Sequence, residues 1–270
     1  MNDPATFFGW TKDGALFGWC GTQGGRPTFV CELVDRDGKL VKKSDVVGNA
    51  DPNPKKKKEL IAWARENGFT EIPDDKPPPP LVATWPSTFA DITLDVARAV
   101  SAERPPAVVR LGGSVGRDAP VHPFTLTKNL VPEAPPHYSA MNGMEVSPDG
   151  KELGVVAHFH ACEYCESFDV KRIPLTTLAA AIYNDTGFQA HRRGDFARSA
   201  ALFEKAIAAD PTHKLAQYNY ACALAQLGDA RAEDALAAAI AKDPSAKTRA
   251  KTDKDFDKVK SEPWFVDLVR

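Results

Sequence analysis

The sequence predicts an α+β protein, with an antiparallel, β-rich N-terminal part over residues 1–175 followed by an all-α helical-repeat part over residues 176–270. Up to Leu175, short apolar runs alternate with Asp-Gly turns and proline-rich punctuation, which is the pattern of antiparallel hairpins. Beyond it, alanine-rich segments carry apolar residues at helical spacing and repeat once, so that Asp210-Pro211 and Asp243-Pro244 stand 33 residues apart. With 43% hydrophobic and 26% charged residues in 270, the composition is that of a folded chain with room for two cores.

The first hairpin is read from Phe7-Phe-Gly-Trp10 and Ala15 to Cys20, joined by Thr11-Lys-Asp-Gly14, because tight hairpin turns need the positive φ that Asp-Gly supplies. Thr28 to Val34 and Lys39 to Lys42 extend it to a meander of three or four strands. Centring its middle turn on Gly25 and Arg26 sets Cys20 opposite Cys31, at a separation a disulfide spans with modest adjustment.

Residues 56–67 predict one helix, with Leu60, Ile61 and Ala64 on its apolar face and Lys55 to Lys58 on a solvated one. Pro77 to Pro80 read as an extended spacer or surface loop. Alternation of Ile92, Leu94 and Val96 with polar residues marks a half-buried strand, expected to end near Ala97 because Arg98 breaks the pattern. Ala107 to Leu111 and Val121 to Leu126 are two more strands, and Gly112 to Gly116 reads as the turn between them, since it lacks the lysine and helix of a phosphate loop. The opening theme then returns as Met144-Glu-Val, Ser147-Pro-Asp-Gly150, Lys151 to Ala157, and a strand over Ser167 to Ile173. The junction is Leu175-Thr-Thr-Leu178, with Thr176 or Thr177 as a helix cap.

In the C-terminal part, Gly194-Asp195 and Gly228-Asp229 each end one helix and begin the next: the glycine takes the left-handed backbone and the aspartate caps. Small residues (Gly187, Ser199, Ala206, Ala221, Ala239) fall where antiparallel helices must approach closely. These hairpins resemble a pair of tetratricopeptide repeats, whose period is about 34 residues. The second copy lacks the aromatic after its Gly-Asp and is one residue short. Two copies need additional support, and the tail offers Phe256, Val259, Trp264, Phe265 and Leu268 as a cap. The N-terminal part resembles a bacterial predicted-secreted domain of unknown function with propeller-like hairpins, on its Gly9-Trp-Thr-Lys-Asp-Gly14 and Ser147-Pro-Asp-Gly150 motifs. Two such motifs fall short of the four blades a closed propeller needs.

The densest group of ligand-type side chains is His158-Phe-His-Ala-Cys-Glu-Tyr-Cys165. On a strand, His158, His160 and Cys162 share one face, and Cys165 follows at a spacing that brings two sulfurs together. Three chemistries fit: a Cys162–Cys165 disulfide, a zinc site of His158, His160, Cys162 and Cys165, or a redox pair. The redox pair lacks the helix that would follow its first cysteine. Cys222, among alanines, reads as a buried apolar filler, and His191 and His213 as surface residues near helix turns. Paired cysteines at 20/31 and 162/165 point to an oxidising compartment, so a periplasmic or secreted bacterial protein is expected, its export signal absent from this chain; a cytoplasmic location is the alternative.

A net charge of −2 gives no global pull toward nucleic acid, and no apolar run reaches the roughly 20 residues of a membrane span. The leading expectation is therefore a non-enzymatic scaffold of the cell envelope, without cofactor, that takes a protein or peptide in its helical groove through Asn184, Asn219 and Lys214. The alternative is a metal-binding or thiol-active protein using the His158/His160/Cys162/Cys165 group, with zinc as its cofactor.

Overall fold

A computed structural model of the chain describes residues 7–23, 28–47, 59, 62–63, 65–68, 89–99, 107–128, 138–160 and 166–270. The chain divides into two compact units. The first comprises residues 1–90, 96–111 and 124–175, the second 91–95, 112–123 and 176–270.

The first unit contains a four-stranded meander, β1 (Phe7–Trp10), β2 (Phe17–Gln23), β3 (Thr28–Val34) and β4 (Leu40–Val47), ordered β1-β2-β3-β4. Its register faces Cys20 with Cys31, as the turn chemistry predicts. A second antiparallel meander is formed by β8 (Tyr138–Val146), β9 (Glu152–His160) and β10 (Glu166–Pro174). The buried side chains of Trp10, Phe17, Val34, Val156 and Val170 draw on both sheets and make one apolar cluster.

The two Ser/Thr-x-Asp-Gly turns are wired alike. Thr11 Oγ1 donates to Asp13 Oδ1 (2.6 Å) and accepts from Leu16 N (3.0 Å); Ser147 Oγ donates to Asp149 Oδ1 (2.7 Å) and accepts from Glu152 N (3.0 Å). Gly14 and Gly150 sit at φ 69° and 70°, which the turn demands. Beside these turns the buried Arg172 pairs with Glu152, donates to Ala15 O (2.6 Å) and lies 4.8 Å over the Trp10 ring.

A third sheet, ordered β5-β6-β7, is made by β5 (Ile92–Ala99), β6 (Ala107–Val115) and β7 (Val121–Lys128). It corrects two expectations. Arg98 does not end β5, because strand pairing is a backbone property that a misfit side chain leaves intact. Gly112-Gly113 is not a turn but the middle of β6, and the left-handed turn residue is Gly116 at φ 60°. Close approach explains these glycines: a Cβ at Gly112 would stand 1.7 Å from Val121 O, and one at Gly113 2.5 Å from Thr93 O. Glu59, Ala62, Trp63, Arg65 and Glu66 are helical, in line with the helix predicted there, whereas Lys55–Lys58 and Pro77–Pro80 lie outside the described residues.

Residues 175–270 form a helical-repeat-like bundle: α1 (Leu175–Arg192), α2 (Phe196–Ala209), α3 (Lys214–Leu227), α4 (Ala232–Lys242), α5 (Ser245–Thr252), a single-turn 3-10 helix (Lys254–Phe256) and α6 (Pro263–Val269). α1 begins at Leu175, directly after β10, so Thr176 and Thr177 lie inside its first turn rather than capping it. Asp195 caps α2 by accepting from Arg198 N, and Gly228 closes α3 in the left-handed conformation at φ 68°. Gly187 is the close contact of α1 with α2, where a Cβ would meet the Phe203 ring at 2.9 Å. Phe256 and Phe265 are buried in the core with Tyr218, Ala221 and Leu236, and Val259, Trp264 and Leu268 pack against it, so the tail caps the helices. Within the same unit, Asp91 accepts from Tyr183 Oη (2.5 Å) and Lys205 Nζ (2.7 Å), and Asp118 pairs with Arg198.

Candidate metal centre in the helical unit

Cys222 lies on the face of α3 that the tail covers. Residues 218, 222 and 226 recur every four positions, so they stack along one side of that helix. Each meets the segment that follows α5. Tyr218 Oη donates to Asp253 Oδ2 at 2.9 Å, Cys222 Sγ stands 4.0 Å from the same oxygen, and Gln226 Nε2 donates to Asp255 O at 2.9 Å. Asp253 in turn starts the 3-10 turn, its Oδ1 accepting from Asp255 N at 3.0 Å. That local turn points both carboxylates toward α3.

One ligand atom each from Cys222, Asp253 and Asp255 can be chosen so that all lie within 4.8 Å of one another. One sulfur and two carboxylate oxygens are donors that divalent zinc accepts. Cys222 is 3% exposed, and burial, then the Asp253 carboxylate, push its thiol well above the usual thiol range. The His191 ring holds the Asp255 carboxyl below the usual carboxylate range, against the opposing effect of burial. Two carboxylates beside a buried thiol make a group of donors that a cation would stabilise. The expectation of a chain without cofactor is overturned by this group, which supplies a coordinating set where the sequence suggested apolar filling.

The predicted residues fall as follows. His158 and His160 lie at the end of β9, where their Cα atoms face Phe168 and Glu166 of β10; Cys162 and Cys165 lie outside the described residues. Asn184 is 5% exposed and accepts, through Oδ1, a 3.0 Å hydrogen bond from Asn219 Nδ2, which ties α1 to α3. Lys214 is exposed at the start of α3. His213 caps α3, its Nδ1 accepting from Ala216 N at 3.1 Å. His191, expected at the surface, has a side chain only 12% exposed and contacts Asp255. Cys222 is buried as predicted, but Asp253 and Asp255 are 31 and 33 positions downstream and reach it through tertiary folding. The one signal available in advance was the tail's predicted capping role.

A β-rich part of three sheets and a helical-repeat-like bundle with a candidate cation site define the class of molecule. No family model, curated protein or solved structure matches the chain.

Proposed function

We propose that the chain is a metal-binding protein of the bacterial cell envelope, its cation held in the helical unit by Cys222, Asp253 and Asp255. The observation that carries this reading is the convergence of those three donors within 4.8 Å, a buried cysteine on α3 and two half-buried carboxylates from the segment after α5. The site joins α3 to the tail, so the cation's role is to bind the tail to the repeats. Zinc titration of the purified chain, followed by calorimetry, tests it. One equivalent should bind, and C222A or D255N should weaken it by at least the roughly 10–100-fold that loss of an outer-shell partner costs. Equal affinity in wild type and both variants would remove the site from Cys222 and Asp255. A second equivalent that survives in C222A belongs to the His158/His160/Cys162/Cys165 group.

Export and a Cys20–Cys31 bridge belong to the same proposal. They are supported by the facing register of the two cysteines and by the disulfide-bonded state of Cys31. Mass mapping of peptides alkylated before reduction reads the link; a freely alkylated Cys20 refutes it.

Peptide capture by tetratricopeptide-like helices is a second role, favoured by exposed apolar side chains beside the asparagine bridge. Phe188 (49% exposed) lies one turn beyond Asn184 on α1, and Leu215 (53%) one turn before Asn219 on α3. Peptides selected from a displayed random library should lose binding to F188S and L215S; retention by both variants places the peptide elsewhere.

A further inference from the structure

The helix that supplies the sulfur of the candidate centre also supplies a clamp on one of its carboxylates. Tyr218 and Cys222 stand one turn apart on α3, and the Tyr218 hydroxyl donates at 2.9 Å to Asp253 Oδ2, the oxygen that lies 4.0 Å from Cys222 Sγ. Asp253 Oδ1 is already engaged, accepting from the Asp255 amide at 3.0 Å. The ring that carries the hydroxyl is itself held. The Arg249 guanidinium, paired with Asp243 at 3.2 Å, lies 4.2 Å over it, and Phe256 meets it edge-on at 6.0 Å between centroids. Tyr218 is 4% exposed, and burial, then Cys222, push its phenol well above the usual range, so the hydroxyl keeps its proton and remains a donor. Burial likewise pushes the Cys222 thiol up, and there the Tyr218 hydroxyl acts in the opposite sense. With bonds of about 2.0 Å to oxygen and 2.3 Å to sulfur, a tetrahedral zinc site sets these two kinds of donor roughly 3.5 Å apart. At 4.0 Å, Asp253 and Cys222 already stand close to that spacing.

We infer that Tyr218 is the positioning residue of the centre, holding Asp253 Oδ2 beside Cys222 at the spacing a zinc-class cation needs. The inference rests on the metal reading above. A carboxylate oxygen carries two lone pairs, so Oδ2 keeps one for the cation while the other accepts from the phenol. Oδ1 stays with the Asp255 amide, and Asp253 therefore binds through a single oxygen, which suits the low coordination number of zinc. Because hydroxyl and sulfur sit on one helix, α3 alone sets the distance between the soft donor and the hard one.

Co²⁺ added alone to the full chain is the probe, because tetrahedral cobalt absorbs strongly in the visible and thiolate-bound cobalt adds a near-ultraviolet band. Wild type should show both. Y218F removes the hydroxyl and keeps the packed ring, and its cobalt affinity should fall roughly 10–100-fold, the cost of a lost outer partner. At saturation its thiolate band should persist, since Cys222 is intact, while the visible intensity falls severalfold as Asp253 loses its fixed place; a merely structural role would leave the saturated spectrum unchanged. Absence of any cobalt spectrum in wild type ends the metal reading itself. A normal wild-type spectrum that Y218F reproduces at saturation ends only the assignment of Tyr218. Should Y218F fail to fold, the hydroxyl proton resonance of Tyr218 in the wild-type chain decides: Zn²⁺ should shift it without removing it, and an unmoved or lost signal overturns the inference.

Discussion

Gly154 lies so near the fully buried Phe17 ring that a Cβ there would stand 2.3 Å from a ring carbon. G154A should therefore cost about 1–3 kcal/mol, the usual penalty for overpacking a core, measured by urea unfolding of the β-rich unit. An unchanged midpoint would show that the ring moves aside freely. Arg172 and Glu152 make a different case, since both side chains are under a tenth exposed and Arg36, Glu152's other partner, is 72% exposed. R172M should cost about 3–5 kcal/mol by leaving a buried carboxylate short of its partner, and adding E152Q should restore part of it. If the double variant is no more stable than R172M, the loss comes from packing on Trp10. At this scale the sequence was legible where a residue's role is set by its neighbours in the chain. The Asp13 and Asp149 turns were read correctly, because each binds only atoms within a few positions of itself. Cys222 was half read and His191 misread: burial of the cysteine followed from its alanines, while the carboxylate neighbours of both depend on a fold that brings distant segments together.

The helix junctions show why some elements announce themselves. Gly194 and Gly228 hold φ values of 79° and 68°, a conformation that favours glycine, so glycine marked both junctions in advance. Only Asp195 caps the helix that follows: α4 begins at Ala232 with Arg231 in the cap position and no side-chain cap bond, because a further turn separates it from Asp229. D195A, which removes the cap on Arg198 N, should cost about 1 kcal/mol in a thermal melt of the helical unit. At the second junction the Arg231 guanidinium holds the Asp229 carboxyl at about 2, below its ordinary 3.8. The pair sits at the surface, with the Arg231 side chain 60% exposed, so solvent screens the effect and direction alone is expected. Because the folded-state value is the lower one, this stabilisation is complete above the ordinary carboxylate range and fades as pH falls toward 2. D229N should flatten that part of the acid-unfolding curve; an unaltered curve would assign the slope to other carboxylates. β6 was misread for the opposite reason. Nothing within Gly112-Gly113 distinguishes a turn from a strand over which neighbouring strands pass closely, and only Val121 and Thr93, in those strands, decide it.

For the whole molecule, the α+β division was legible because period-two and helical patterns occupy separate stretches of the chain. The assignment of residues 91–95 and 112–123 to the helical unit was not, since strand ends carry no mark of the unit they join. Phe256, fully buried against Tyr218 at 6.0 Å and Phe265 at 5.4 Å between ring centroids, is the tail's main apolar anchor. F256A should cost about 3–5 kcal/mol and be seen as an early helical transition in circular dichroism. A melt matching wild type would mean that the tail is held by its polar contacts alone.

The dependence of α3 on that tail also sets an order of events during synthesis. Tyr218 and Gln226 find their partners 35 and 29 residues further along the chain. At roughly 5–20 residues per second, the ribosome therefore extends the chain for a few seconds between making one side of this contact and the other. Throughout that interval the helices already made lack the partners of Tyr218, Cys222 and Gln226 and leave that side of α3 uncovered.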